Sequence, residues 1–148
     1  MAKKNKQPKY VQQPKIEKKP VTESETSFNQ ARPAWRLSLL QLVDPWGWHT
    51  LDQAKLIEIQ GKLSGFETMT WNEILVVAKK QHHSIPVSDL TKKAQGRLQD
   101  IKQDDVDELI SLRLQGKERV WGIREEQVLK LLWWDPEHEI CPSLLKNT

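Results

Sequence analysis

The chain has one cysteine, one tyrosine, two phenylalanines and only six glycines. A single thiol, Cys141, excludes an intrachain disulfide and every multi-cysteine metal motif, and its expected role is that of a small semi-buried hydrophobe. No run approaches the roughly 20 apolar residues that span a bilayer, and the lysines near the N-terminus are not followed by an apolar signal core. A soluble cytoplasmic protein without a membrane partner is therefore expected. Phosphate-cradling glycine loops, nucleophile elbows and HExxH helices are missing too, so the common nucleotide hydrolases, serine esterases and zinc proteases have no signature here.

Net charge is scarce where it would matter. The chain total is +3, but Met1 to Ala34 holds eight Lys or Arg against three Asp or Glu, which leaves 15 basic and 17 acidic residues from Trp35 onward. The basic character belongs to the first 34 residues, which include four prolines and few apolar side chains besides Val11, Ile16, Val21 and Phe28. Such a stretch buries too little surface to offset its chain entropy, so residues 1 to 34 are expected to form a disordered basic tail. Residues 35 to 148 are expected to form one domain with no general attraction for phosphate, and any nucleic-acid role must rest on a local patch.

Within that domain, Trp35 to Val43 alternates as a short strand and breaks at Asp44, Pro45 and Gly47, with Trp46 and Trp48 expected to fold back on the core. Thr50 is a candidate cap for a helix running to about Lys62, with Leu51, Ala54, Ile57 and Ile59 on its inner side. Thr70 and Glu73 fit a capping box in front of Ile74, Leu75, Val77 and Ala78. Gln81 to Pro86 is a loop or edge strand. Leu90, Ala94, Leu98 and Ile101, at spacings of four, four and three, predict a helix over residues 88 to 100. Asp104 and Asp105 suit the start of a short helical turn through Val106 and Leu109.

The last third changes period. Leu112 to Leu114 alternates, and residues 118 to 124 and 127 to 134 read as two strands joined across Glu125 and Glu126. That hairpin pairs Ile123 with Val128, Trp121 with Lys130, Arg119 with Leu132 and Lys117 with Trp134. Val120, Gly122, Leu129, Leu131 and Trp133 form its core side. The expected architecture is α+β, with about three helices on one face of a small antiparallel sheet. Residues 35 to 87 form an N-terminal extension layer, and residues 88 to 148 the main part.

The hairpin face opposite the core mixes Lys117, Arg119 and Lys130 with Trp121 and Trp134. Cations bind phosphates and rings stack on bases, so an open face of this composition suits single-stranded nucleic acid. The blander reading packs these rings under a helix with the cations at the rim. Asp135, Glu137, His138 and Cys141 then fall within seven residues. Pro136 stops the strand by removing a ladder donor, and an imidazole beside carboxylates is a candidate proton carrier. Asp135, His138 and Cys141, with His82 and His83 nearby, would be a metal set of no recognised spacing, so neither metal nor other cofactor is expected. His82 and His83 read as loop residues, and most of the seven tryptophans as core mass.

The run from Arg113 to Ile123, followed by Val128 to Trp134 and the DPEH ending, resembles small bacterial and phage proteins that share a WWDPEHE ending. More distantly, its helix, helical turn, RLxGxxR strand and second strand are similar to the RelE/ParE superfamily of toxins. The resemblance covers about the last 60 residues. It implies a helical pair on a curved antiparallel sheet and a metal-independent endoribonuclease that cuts messenger RNA as a toxin or defence effector. RNA or the ribosome and a cognate antitoxin would be its partners. By position, Arg113 and Arg119 would contact RNA phosphates, Lys117 or Arg124 would stabilise charge on the phosphate in flight, and His138 or Glu118 would carry the proton. Two departures stand against it: the folded part is slightly acidic, and residues 35 to 85 have no counterpart in those compact toxins. The competing expectation is a non-catalytic module that holds protein or nucleic acid with exposed tryptophans and the basic tail. Gyrase poisoning, as in the ParE branch, is a third.

Overall fold

The computed structural model describes residues 28 to 142. Apolar residues occupy both parities of the late strands, as in the run Val128-Leu129-Lys130-Leu131-Leu132-Trp133-Trp134. A strand of that kind has to be covered on both faces. The structure meets this demand with a five-stranded mixed sheet, β1 (Ala34–Arg36), β2 (His82–Pro86), β3 (Glu108–Arg113), β4 (Arg119–Glu125) and β5 (Val128–Asp135), in spatial order β1-β5-β4-β3-β2. The fold is α+β as expected. The single-sided, all-antiparallel arrangement is not what forms: β1 pairs parallel to β5, and both sheet faces are covered.

One core joins Leu109, Trp121, Ile123, Leu132 and Trp133 of the sheet to Leu90 and to Ala94 and Leu98 of α2 (Lys92–Asp100), with Trp46, Ile140 and Cys141 closing it. The other joins Ile110, Leu112, Val120, Leu129, Leu131 and Trp134 to Ile59 and Phe66 of α1 (Gln53–Phe66) and to Trp71 and Ile74. The predicted stripe Leu90, Ala94, Leu98 and Ile101 does face the sheet, although α2 begins only after its cap, Thr91, which accepts from Ala94 N–H at 3.3 Å. The α1 stripe is shifted from expectation. Asp52, not Thr50, caps α1, Ile59 and Phe66 turn inward, and Ile57 is left 61% exposed.

Thr70 and Glu73 form the full reciprocal capping box, with Glu73 N–H donating to Thr70 Oγ1 and Thr70 N–H to Glu73 Oε1. What it opens is a wide π-type turn, Glu73–Val77. Residues 104 to 107 form no helix, and Leu109 lies in β3. The predicted strand from Trp35 is cut to three residues, after which Gln41 N–H donates to Leu132 O.

Residues 1 to 27 of the expected tail lie outside the described residues. Residues 28 to 34 do not behave as tail: Ala31 O and Asn29 O accept from Trp71 and Asn72 N–H, and Ala34 N–H donates to Gln127 O. Residues 35 to 87, expected as an extension layer, supply most of β1 and all of β2, the two sheet edges, and the helix covering one face.

The hairpin β4–β5 turns at Glu126 and Gln127, one residue later than expected, with Glu126 in the left-handed region at φ 60°. Pairing is therefore Trp121 with Trp133 and Arg119 with Asp135. A bulge between these pairs and Gly122–Leu131 gives β5 one extra residue. Leu131 consequently faces α1 while Leu132 and Trp133 both face α2, and Trp134 returns to the α1 side. Gly122 fits here for lack of a side chain, since a Cβ would lie 2.7 Å from both Leu129 Cγ and Lys130 O. Gly122→Ala is expected to cost about 1–3 kcal/mol through forced backbone displacement. An unchanged denaturation midpoint would contradict this.

Candidate active site

The strands place their polar ends together. Arg113 ends β3, Arg119 starts β4 and Asp135 ends β5, and the register sets Arg113 against Arg119 and Arg119 against Asp135. These three side chains form one row on the α2 face, because they share parity with Ser111, Trp121 and Trp133. Directly opposed residues in such a row have Cβ atoms roughly 4.5–5.5 Å apart, so two guanidiniums stand side by side. His83, paired with Ser111, flanks the row from β2.

Like charges at this separation need compensation, and the β3–β4 turn supplies it. Arg113 Nε and Arg119 Nη1 both donate to Gly116 O, at 3.1 and 2.8 Å, and Arg119 Nη1 also reaches Glu118 O at 3.1 Å. Gly116 aims that carbonyl from φ 57°, a conformation natural to glycine. Among the described residues neither arginine has a carboxylate at ion-pair distance. Burial and the adjacent Arg113 cation lower the Arg119 pKa to about 10, against a pull upward from Asp135. Arg119 thus remains charged at neutral pH. Two charge-bearing forks without an ion-paired anion favour an anionic ligand such as phosphate.

Asp135 is fully buried and its oxygens are engaged elsewhere. Oδ1 accepts from Glu139 N–H at 2.9 Å, and Oδ2 from Ile140 N–H at 3.0 Å and Trp121 Nε1–H at 3.2 Å. Burial raises its pKa against those three hydrogen bonds. The carboxylate closes the turn that Pro136 begins, and this turn carries His138 in the left-handed region at φ 60°, where His is among the more tolerant residues. His138 is only 3% exposed, and its Nδ1 is buried without a hydrogen-bond partner. Burial first, then Arg119, hold its pKa below the ordinary imidazole value. It is a neutral imidazole beside two cations.

The two β2 histidines differ. His82 points to the α1 face, its ring edge-on to Phe66 at 4.9 Å, and Nδ1 accepts from Arg113 N–H at 3.1 Å. Burial, with His83 and the arginines, lowers its pKa to about 4. It is a structural acceptor. His83 is half-buried on the arginine side, and its pKa is lowered by burial, then Arg119, then His138.

These depressed imidazoles give a testable stability profile. Unfolded histidine takes its proton near 6.5, whereas folded His82 does so only at about 4. Between those values the unfolded chain binds the extra proton, so stability falls as pH drops, by up to on the order of 3 kcal/mol from His82 alone. Asp135, with its raised pKa, acts in the opposite sense. The thermal midpoint is expected to fall from pH 6.5 to 4, and to fall less in His82→Asn. A flat profile for the parent protein would overturn the assignment.

Of the residues predicted from sequence, Arg113, Arg119 and His138 converge. The others do not. Glu118 turns to the α1 face, where its Oε2 meets Lys55 Nζ at 2.7 Å. Lys117 lies exposed in the turn. Arg124 binds Asn29 Oδ1 and Glu126 O and stacks 4.9 Å from the Trp71 ring, and Lys130 pairs with Glu125 at 3.0 Å. Trp121 is fully buried and Trp134 is 4% exposed, so the open tryptophan face does not exist. The suggested Asp135, His138 and Cys141 metal set does not assemble either: Asp135 holds backbone donors, Cys141 Sγ contacts Asp89 O at 3.3 Å, and among the described residues no three His, Cys, Asp or Glu side chains are disposed to hold a metal ion. What sequence reading missed was His83 and the positioning role of Asp135. The signal for His83 was its place in an edge strand, where alternation sends adjacent histidines to opposite faces.

Among the described residues no helix is long and apolar enough to cross a membrane. No protein-family model matches this chain, and no curated protein or solved structure shows significant similarity to it.

Proposed function

We propose that this protein is a metal-independent endoribonuclease, acting on messenger RNA as a toxin or defence effector of RelE-like type. The observation that carries the reading is the Arg113–Arg119 row, free of ion-paired carboxylates, beside the buried neutral imidazole of His138. RNA contains its own nucleophile, so the protein need only position a phosphodiester, move protons and stabilise charge. His138 takes the proton of a 2′-hydroxyl, the 2′-oxygen attacks the adjacent phosphorus, and the two guanidiniums hold the equatorial oxygens as their charge grows. The bond to the 5′-oxygen then breaks, leaving a 2′,3′-cyclic phosphate and a 5′-hydroxyl. α2 followed by β3, β4 and β5, with the histidine after the last strand, supports the RelE-like comparison. A cognate antitoxin would be the natural partner of such an activity.

The test is induction of the full chain in bacteria, with mapping of RNA ends. Growth arrest with new 5′-hydroxyl ends in translated message is expected. Harmless expression together with intact message in a purified translation reaction would refute the proposal. DNA, which lacks the 2′-hydroxyl, is expected to remain uncut, and cleavage of DNA would equally refute it. A binding module would have to use surfaces other than Trp121 and Trp134, which are buried.

A further inference from the structure

We infer that His83 is the acid that protonates the departing 5′-oxygen, forming with His138 a pair of imidazoles on either side of the Arg113–Arg119 row. The inference rests on the ribonuclease reading above and assigns that site its second proton-transfer residue.

Placement is the first argument. Across the sheet the order is β5, β4, β3, β2, so the α2 face presents Asp135 with the His138 turn, then Arg119, then Arg113, then the strand bearing His83. Displacement at phosphorus puts the attacking and leaving oxygens roughly in line on opposite sides of the centre. His83 stands one rung along from Arg113, opposite Ser111, so a phosphate seated on the arginines would have the His138 turn at the β5 side and His83 at the β2 side.

The second argument is the state of the other candidates. Glu118 is held by Lys55 on the far face, and Asp135 accepts three hydrogen bonds. His82 faces Phe66 and accepts from Arg113 N–H. Lys117 is exposed in the turn, and Tyr10, the only tyrosine of the chain, lies outside the described residues. His83 is half-buried, beside the row, and among the described residues has no ion-paired carboxylate.

The chemistry balances with these two groups. The 2′-hydroxyl proton passes to His138 as the 2′-oxygen to phosphorus bond forms. The phosphorus to 5′-oxygen bond breaks with its electron pair on oxygen, and that oxygen takes the proton of protonated His83. His138 leaves the cycle protonated and His83 neutral, and exchange with water resets both. The groups facing them are Arg113 on β3, Arg119 on β4 and Asp135 on β5, while His82 on β2 is turned to the opposite face. Burial and Arg119 hold both imidazoles below their usual range, while the Lys80 carbonyl favours the protonated form of His83. The pH profile of kcat/KM is therefore expected to be bell-shaped, with its maximum below about 6.5.

The deciding experiment uses the purified full chain and a short RNA whose cleaved linkage carries sulfur in place of the bridging 5′-oxygen. A thiolate departs without a proton. On ordinary RNA, His83→Ala and His83→Asn are each expected to be slower by about 100-fold or more. On the sulfur-bridged RNA they should come within a few-fold of the parent protein, while His138→Asn stays slow on both. His83 variants that are slow on both substrates while retaining the parental circular dichroism spectrum, or unimpaired on both, would overturn this assignment and leave the ribonuclease reading standing. A parent protein that cleaves no RNA, alone or with translating ribosomes, would remove both.

Discussion

His138→Asn is expected to slow RNA cleavage by on the order of 10²–10⁴-fold and to abolish growth arrest on induction, with little change in thermal midpoint. Asparagine is the appropriate replacement because it tolerates the left-handed backbone that His138 occupies at φ 60°. It also keeps a polar group of similar placement without an imidazole's capacity to exchange a proton near neutral pH. The substitution thus separates chemistry from folding. Cleavage of message at the parental rate by a folded His138→Asn protein would show that the proton is carried elsewhere. Arg119→Lys should give a loss of comparable direction, since an ammonium cannot present two parallel donors to a phosphate.

The largest effect on stability is expected at Asp135. Asp135→Ala leaves Glu139 N–H, Ile140 N–H and Trp121 Nε1–H without their acceptor in a buried setting. Each orphaned donor costs about 1–3 kcal/mol, and partial relaxation brings the combined loss to roughly 3–5 kcal/mol. For a domain of this size that is a fall in thermal midpoint of about 10–25 °C. Asp135→Asn keeps one acceptor oxygen and should lose less than half as much stability. Its activity should still fall, because the turn that sets His138 depends on both carboxylate oxygens. If Asp135→Ala melts within a degree or two of the parent, the carboxylate does not hold this turn.

These two residues show how far the sequence could be read. His138 was identifiable because an imidazole follows a strand-stopping proline, and Arg113 and Arg119 because they flank a short turn containing Gly116. Arg113 and Arg119 meet through the local β3–β4 turn, whereas His138 comes beside them only through the Arg119–Asp135 register that the β5 bulge sets. Asp135 also stood out as an acid beside His138, but its role as acceptor for the following turn depends on how residues 136 to 140 fold back. Strand alternation separates His83 from His82, but it does not say which strand His83 will lie beside. The residue enters the site only because β2 pairs with β3 in a register that places His83 against Ser111, a contact across nearly 30 positions of chain.

Composition and periodicity by themselves determined the α+β class, the α2 stripe, the capping box at Thr70 and the β3–β4–β5 meander, because each depends on patterns among near neighbours in the chain. Only the tertiary structure decided the parallel pairing of β1 with β5, the covering of both sheet faces and the swap of Trp133 and Trp134 between cores. The physical reason lies in β5. A single extra residue at its bulge inverts every later side chain, and nothing in the alternation of Leu131, Leu132, Trp133 and Trp134 marks where the inversion falls until the partner strand and both helical layers are in place.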